Sequence, residues 1–122
     1  MKEAPQSSLP LQPTLASQSS LADALDALWT RFLPEMEERV ATLEAAALAF
    51  KGDNLSEEQR ENAHAVAHKL AGVLGIFGLT EGTELARELE TIYSRRSVND
   101  PALAEQMAGI AAQLRASVES KK

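Results

Sequence analysis

Apolar residues recur every three or four positions from about residue 21 to residue 118, a spacing that predicts helices and no strands. Leu21, Leu25, Leu28 and Phe32 form the first stripe, with Trp29 beside them and Ser20 placed to cap the N-terminus. Pro34 interrupts, and proline is tolerated in a first helical turn but costly in a helix interior. The pattern therefore predicts a short first helix ending near Phe32 and a second starting at Pro34, a single helix kinked there being the alternative. The second helix turns Met36, Val40, Leu43, Ala47 and Phe50 inward, carries Glu35, Glu37 and Glu38 where the helix dipole favours them, and stops at Gly52, with Asp53 and Asn54 making the turn. Ser56 opens the third helix with Gln59 as its capping-box partner, and Ala63, Val66, Leu70, Val73, Leu74 and Phe77 form its stripe up to Gly78. Thr80 is placed as the N-cap of the fourth helix, whose stripe is Leu85, Leu89, Ile92 and Tyr93. Asn99-Asp100-Pro101 starts the fifth, which buries Leu103, Met107, Ile110, Leu114 and Val118.

Long amphipathic helices with short connections specify an all-α, antiparallel four-helix bundle, here with a short extra N-terminal helix packed at one end. Residues 1–19 contain Pro5, Pro10 and Pro13 with serines and glutamines and no periodicity, and read as a disordered, flexible arm or linker; residues 20–119 are the bundle domain. Abundant Ala and Leu with only 4% aromatic residues support helices over a β-sandwich.

Charge removes several function classes. The net charge is −6 and the pI about 4.9, which argues against binding a phosphate backbone, so no nucleic-acid partner is expected. Cysteine is absent, which excludes disulfides and thiolate catalysis. No apolar run approaches the length of a membrane span and no signal peptide is evident, so a cytoplasmic protein without membrane contact, and a monomer, are expected.

One stretch breaks its own helix rules. Residues 67–78, Ala-His-Lys-Leu-Ala-Gly-Val-Leu-Gly-Ile-Phe-Gly, carry three glycines, each costing about 1 kcal/mol relative to alanine inside a helix. At roughly 100° per residue, Gly75 lies about 20° around the helix from His68, Gly72 about 40°, and Ala65 and Ala71 about 60° on either side. The apolar residues Val66, Leu70, Val73 and Phe77 fall opposite. His68 thus stands on a ridge whose neighbours are cut down to hydrogen or methyl, approachable by a second protein. Glycines selected for close helix packing would instead lie on the apolar stripe.

These residues resemble the phosphoacceptor motif of histidine-containing phosphotransfer (HPt) domains of bacterial two-component phosphorelays. The similarity extends to Leu28-Trp29 through Leu43-Glu44, to Ala63-x-x-x-Ala67-His68, and to Leu85-Ala86-Arg87-Glu88-Leu89-Glu90, covering roughly residues 21–118. The resemblance implies that His68 accepts a phosphoryl group from, or donates it to, an aspartate of a response-regulator receiver domain, downstream of a hybrid or sensor histidine kinase. It implies a phosphocarrier rather than an independent enzyme, with no cofactor of its own, since Mg²⁺ belongs to the receiver. His64, Ala65, Lys69, Ala71, Gly72 and Gly75 would be the near-phosphate or docking residues, rimmed by apolar residues of the second helix, with Leu70, Val73 and Phe77 as core support. The chain departs from the family pattern twice: many members carry a lysine where this chain has Ala71, and a small polar residue where it has Val73. Lys69 is adjacent to His68 in sequence but about 100° around the helix. A non-catalytic module that binds a receiver as a decoy is the alternative function.

Other candidates on the sequence are weaker. His64 and His68 are four apart with Glu61 three before His64, an incomplete zinc set without a His-Glu-x-x-His sequence, so no metal is expected. His64 reads as a solvated neighbour of the acceptor. Glu57, Glu58 and Glu61 read as solvated-face charges, and Arg87, Arg95 and Arg96 as exposed helix charges.

Overall fold

The computed structural model describes residues 15–94 and 100–121, with side chains from residue 20 onward. Four helices follow in order: α1 Leu15–Lys51, α2 Glu57–Ile76, α3 Thr80–Tyr93 and α4 Pro101–Glu119. The described residues contain no strand, and the all-α fold class stands. The chain divides into two compact units, Met1–Arg31 and Phe32–Lys122. The expected flexible arm falls partly outside the described residues, at 1–14, as do Arg95, Arg96 and Asn99.

The expected break at Pro34 is absent, because α1 runs through it as one helix of 37 residues. The separate N-terminal helix is thus the first part of α1, and Ser20 lies inside it rather than capping it. The cost of an interior proline is reduced by position. Pro34 is exposed, and so is Thr30, the residue whose carbonyl loses its amide partner. In the first unit the anticipated apolar stripe is largely uncovered, with Leu21 60% exposed and Leu28 also exposed, whereas Trp29 is buried.

The second unit holds the bundle. Met36, Val40, Leu43, Ala47 and Phe50 of α1 are buried, as the spacing predicts. Each short connection is fixed locally. At the end of α1 the Asn54 amide reaches the Ala49 carbonyl at 2.7 Å and the Asp53 amide reaches the Phe50 carbonyl at 3.0 Å, a Schellman closure. Asp53, not Gly52, takes the left-handed conformation there, at φ 60°. Ser56 and Gln59 form the expected reciprocal capping box. At the end of α2 the same closure recurs: Leu79 amide to Leu74 carbonyl at 3.0 Å, Gly78 amide to Gly75 carbonyl at 3.1 Å, with Gly78 at φ +75°. Because Leu79 completes that motif and also starts α3, the N-cap is Leu79, without a side-chain cap, and Thr80 is already helical. Asp100 caps α4 by accepting from the Ala102 amide at 3.0 Å, with Pro101 in the first turn.

The cross-helix contacts give the register. The residue pairs His68 with Glu90 and Gly75 with Thr83 run α2 against α3, while Glu88 with Gln106 and Gly82 with Ser117 run α3 against α4. Arg115 on α4 donates two hydrogen bonds to the Glu44 carboxylate on α1, at 2.8 and 2.9 Å. Descending numbers against ascending ones make α2 antiparallel to α3 and α3 antiparallel to α4, as in a four-helix bundle.

The buried face of α2 is turned relative to the expectation. Its core residues are Ala63, Ala67, Leu70, Ala71 and Leu74. They are centred about 115° around the helix from His68, not directly opposite it. Val66, Val73 and Phe77 therefore sit at the boundary, only partly covered. Leu89, Met107, Leu114 and Val118 complete the core with Tyr93, whose phenol is pushed well above its usual range by burial and stays neutral.

Candidate functional site

His68 projects from the middle of α2 with 71% of its side chain exposed. Its Nδ1 lies 2.7 Å from Oε2 of Glu90 on α3, a carboxylate that is itself only 25% exposed. An ionised carboxylate accepts and does not donate, so Nδ1 carries the proton and donates it. The ring is then held in the tautomer that leaves Nε2 with a free lone pair, directed away from the bundle. The sequence arithmetic behind this contact is simple in hindsight. A tight turn at Gly78 makes α2 and α3 a hairpin symmetric about Leu79, and His68 and Glu90 are each eleven residues from that point. Glu90 had no assigned role in the sequence because its partner is 22 residues away on another helix.

The two glycines next to His68 have no packing duty inside the chain. A Cβ at Gly72 would meet nothing within 4 Å, and one at Gly75 would meet only Thr83 Oγ1, at an ordinary 3.7 Å. Ala65 and Lys69 are exposed, and Lys69 has no side-chain partner among the described residues. His64 is one turn before His68, with its Nε2 4.0 Å from the same Glu90 oxygen, beyond hydrogen-bond distance. Ala71 does not belong to this accessible ridge: it is 4% exposed and forms part of the core, because the covered arc of α2 reaches round to it. Of the three core-support residues, Leu70 is fully buried while Val73 and Phe77 are half-buried. Ile76, which the sequence reading passed over, is 70% exposed immediately after Gly75, an apolar side chain beside the cleared ridge.

Among the described residues no group of three or more His, Asp or Glu side chains is arranged to hold a metal ion, and no helix is long and apolar enough to cross a membrane. The candidate site is an outward imidazole that contacts a carboxylate through Nδ1 and has open space at Gly72 beside it.

The chain matches the Hpt domain family over residues 12–120. It is similar to Protein RcaC of Microchaete diplosiphon, with 40% identity over 80 residues, which is 66% of this chain but only 12% of that protein. No solved structure gives a significant match. With the family match covering nearly all of the bundle and an exposed, oriented histidine at its centre, the chain belongs to the Hpt domain family, the phosphocarrier modules of two-component phosphorelays.

Proposed function

We propose that His68 is the phosphoacceptor and that the chain exchanges a phosphoryl group with the aspartate of a response-regulator receiver domain. The observation that carries this reading is the 2.7 Å contact between Nδ1 and Glu90 on a ring otherwise open to solvent. With Nδ1 protonated, the Nε2 lone pair attacks the phosphorus of an aspartyl phosphate. The N–P bond forms as the acyl P–O bond breaks, and the aspartate leaves with the electron pair. The imidazole becomes an N-phosphoryl imidazolium, and Glu90 faces the positive charge that develops on the ring. The reverse step returns the group to an aspartate by the same path.

The bundle positions, and the partner supplies the rest. Gly72 and Gly75 leave the volume into which a receiver's phosphorylated loop approaches, and Ile76 offers an apolar contact at its edge. Mg²⁺ and an acidic pocket are the receiver's contribution, so the chain acts as a carrier and not as an independent catalyst.

The test is transfer of label from a phosphorylated receiver. Wild type should acquire acid-labile, base-stable label, and His68→Gln should lose all of it while keeping the helical circular-dichroism spectrum. Label surviving in His68→Gln would sink the assignment of the acceptor. A wild type that binds the receiver yet never acquires label would instead leave a docking module without transfer.

A further inference from the structure

The phosphorylated state raises an electrostatic problem that His68 and Glu90 do not solve. A phosphoryl group brings a charge of about −1.5 to −2 at pH 7. It would form beside the carboxylate of Glu90 on a chain of net charge −6. The residue three positions after His68 is Ala71, which is buried and neutral. A cation must come from elsewhere, and the hairpin geometry points to its source.

The α2–α3 hairpin is symmetric about Leu79. Gly75 and Thr83 are each four residues from it and lie side by side, and His68 and Glu90 are each eleven from it and are hydrogen-bonded. Residues eight away on either side are Ala71 and Arg87. Arg87 therefore stands on α3 at the axial level of Ala71. It lies one turn, about 4.5 Å of rise, from Glu90 on the same side of its helix. That distance is within the span of an arginine stem. Arg87 is also unengaged. Arg39, Arg60 and Arg115 are each held by carboxylates, whereas the Arg87 side chain is exposed with no partner among the described residues.

Building on the assignment of His68 as acceptor, we infer that Arg87 is a phosphoryl-binding residue, reaching across from α3 to neutralise the group on His68 Nε2. A guanidinium suits this because its planar fork pairs with two phosphoryl oxygens at once. Ala71 then ceases to be a gap in the site. The charge enters from the opposite side of the hairpin at the same level. Lys69, about 100° around α2 from His68, is not required.

Phosphoramidate, which needs no partner protein, isolates this step. Its P–N bond breaks as the Nε2–P bond forms, and ammonia leaves with the electron pair. The ³¹P signal of the labelled protein is then followed through a pH titration. A neighbouring cation favours the more charged phosphoryl form, so Arg87→Ala should raise the phosphoryl titration midpoint by about half a pH unit. Arg87→Lys should restore most of the shift, and Lys69→Ala should leave the midpoint in place. An unchanged midpoint in Arg87→Ala, or a shift produced by Lys69→Ala instead, overturns the role of Arg87 while label confined to His68 leaves the acceptor intact. Label retained by His68→Gln overturns both. Arg87→Gln, of similar size and exposed, repeats the measurement if the alanine variant loses helical content.

Discussion

Gly75 on α2 and Gly82 on α3 are seven residues apart and face opposite demands. At Gly82 a Cβ would stand 2.8 Å from Ser117 Oγ and 3.1 Å from Leu74 Cδ1, so the missing side chain is what lets α3 close on α4. At Gly75 the nearest obstacle is Thr83 Oγ1 at 3.7 Å, and at Gly72 there is none within 4 Å. The first glycine is explained by the fold, whereas the other two cost helix propensity and give nothing back inside the chain. Both lie beside an imidazole that is itself mostly in solvent, and the proposed function gives them their use there. The same residue type thus marks a packing site in α3 and open space beside His68 in α2, which the proposed function uses as clearance for an incoming group.

Three substitutions test that contrast. The largest effect is expected at Gly82→Val, where overpacking at the α3–α4 contact should lower stability by about 2–3 kcal/mol, read by denaturant unfolding. The same variant should accept phosphoramidate label normally under conditions where it is folded. Gly75→Gln should do the reverse. Transfer from a phosphorylated receiver should fall at least about tenfold, or roughly 1.4 kcal/mol, with the unfolding midpoint little changed and phosphoramidate labelling within about twofold of wild type. Equal transfer rates for wild type and Gly75→Gln would refute the clearance. The smallest effect is a gain: Gly72→Ala should stabilise the chain by about 0.5–1 kcal/mol, since a methyl there meets open space and helix propensity is recovered. A loss of stability at Gly72→Ala would mean that the position packs against something after all.

Part of this was legible without coordinates because helices are local. Hydrogen bonds from residue i to i−4, caps within three residues and a period of 3.6 are all written in short windows. Hence Ser56 with Gln59, and Asp100 with Pro101, marked helix starts correctly, and the inward residues of α1 from Met36 to Phe50 were read without error. The same local arithmetic put His68 outside the core with two glycines beside it. It preferred a break at Pro34 to the single helix that it kept as the alternative, because the rule against an interior proline is local and takes no account of the exposed setting of Thr30 and Pro34. It misjudged Thr80, because the turn that ends α2 leaves no spare residue for a cap.

What the sequence by itself determined is an all-α chain of amphipathic helices, the starting caps at Ser56 and Asp100, and one outward imidazole with glycines beside it. The tertiary structure decided which part of α2's wide, alanine-rich arc is covered, and so moved Ala71 into the core and left Val73 and Phe77 at its edge. It also decided that Glu90 meets His68, and that Arg87 stands level with Ala71 across the hairpin. The physical reason is that burial of an ambivalent residue such as alanine depends on the helix lying next to it. Contacts between helices depend on a register set by the turn, which no periodicity within a single helix contains.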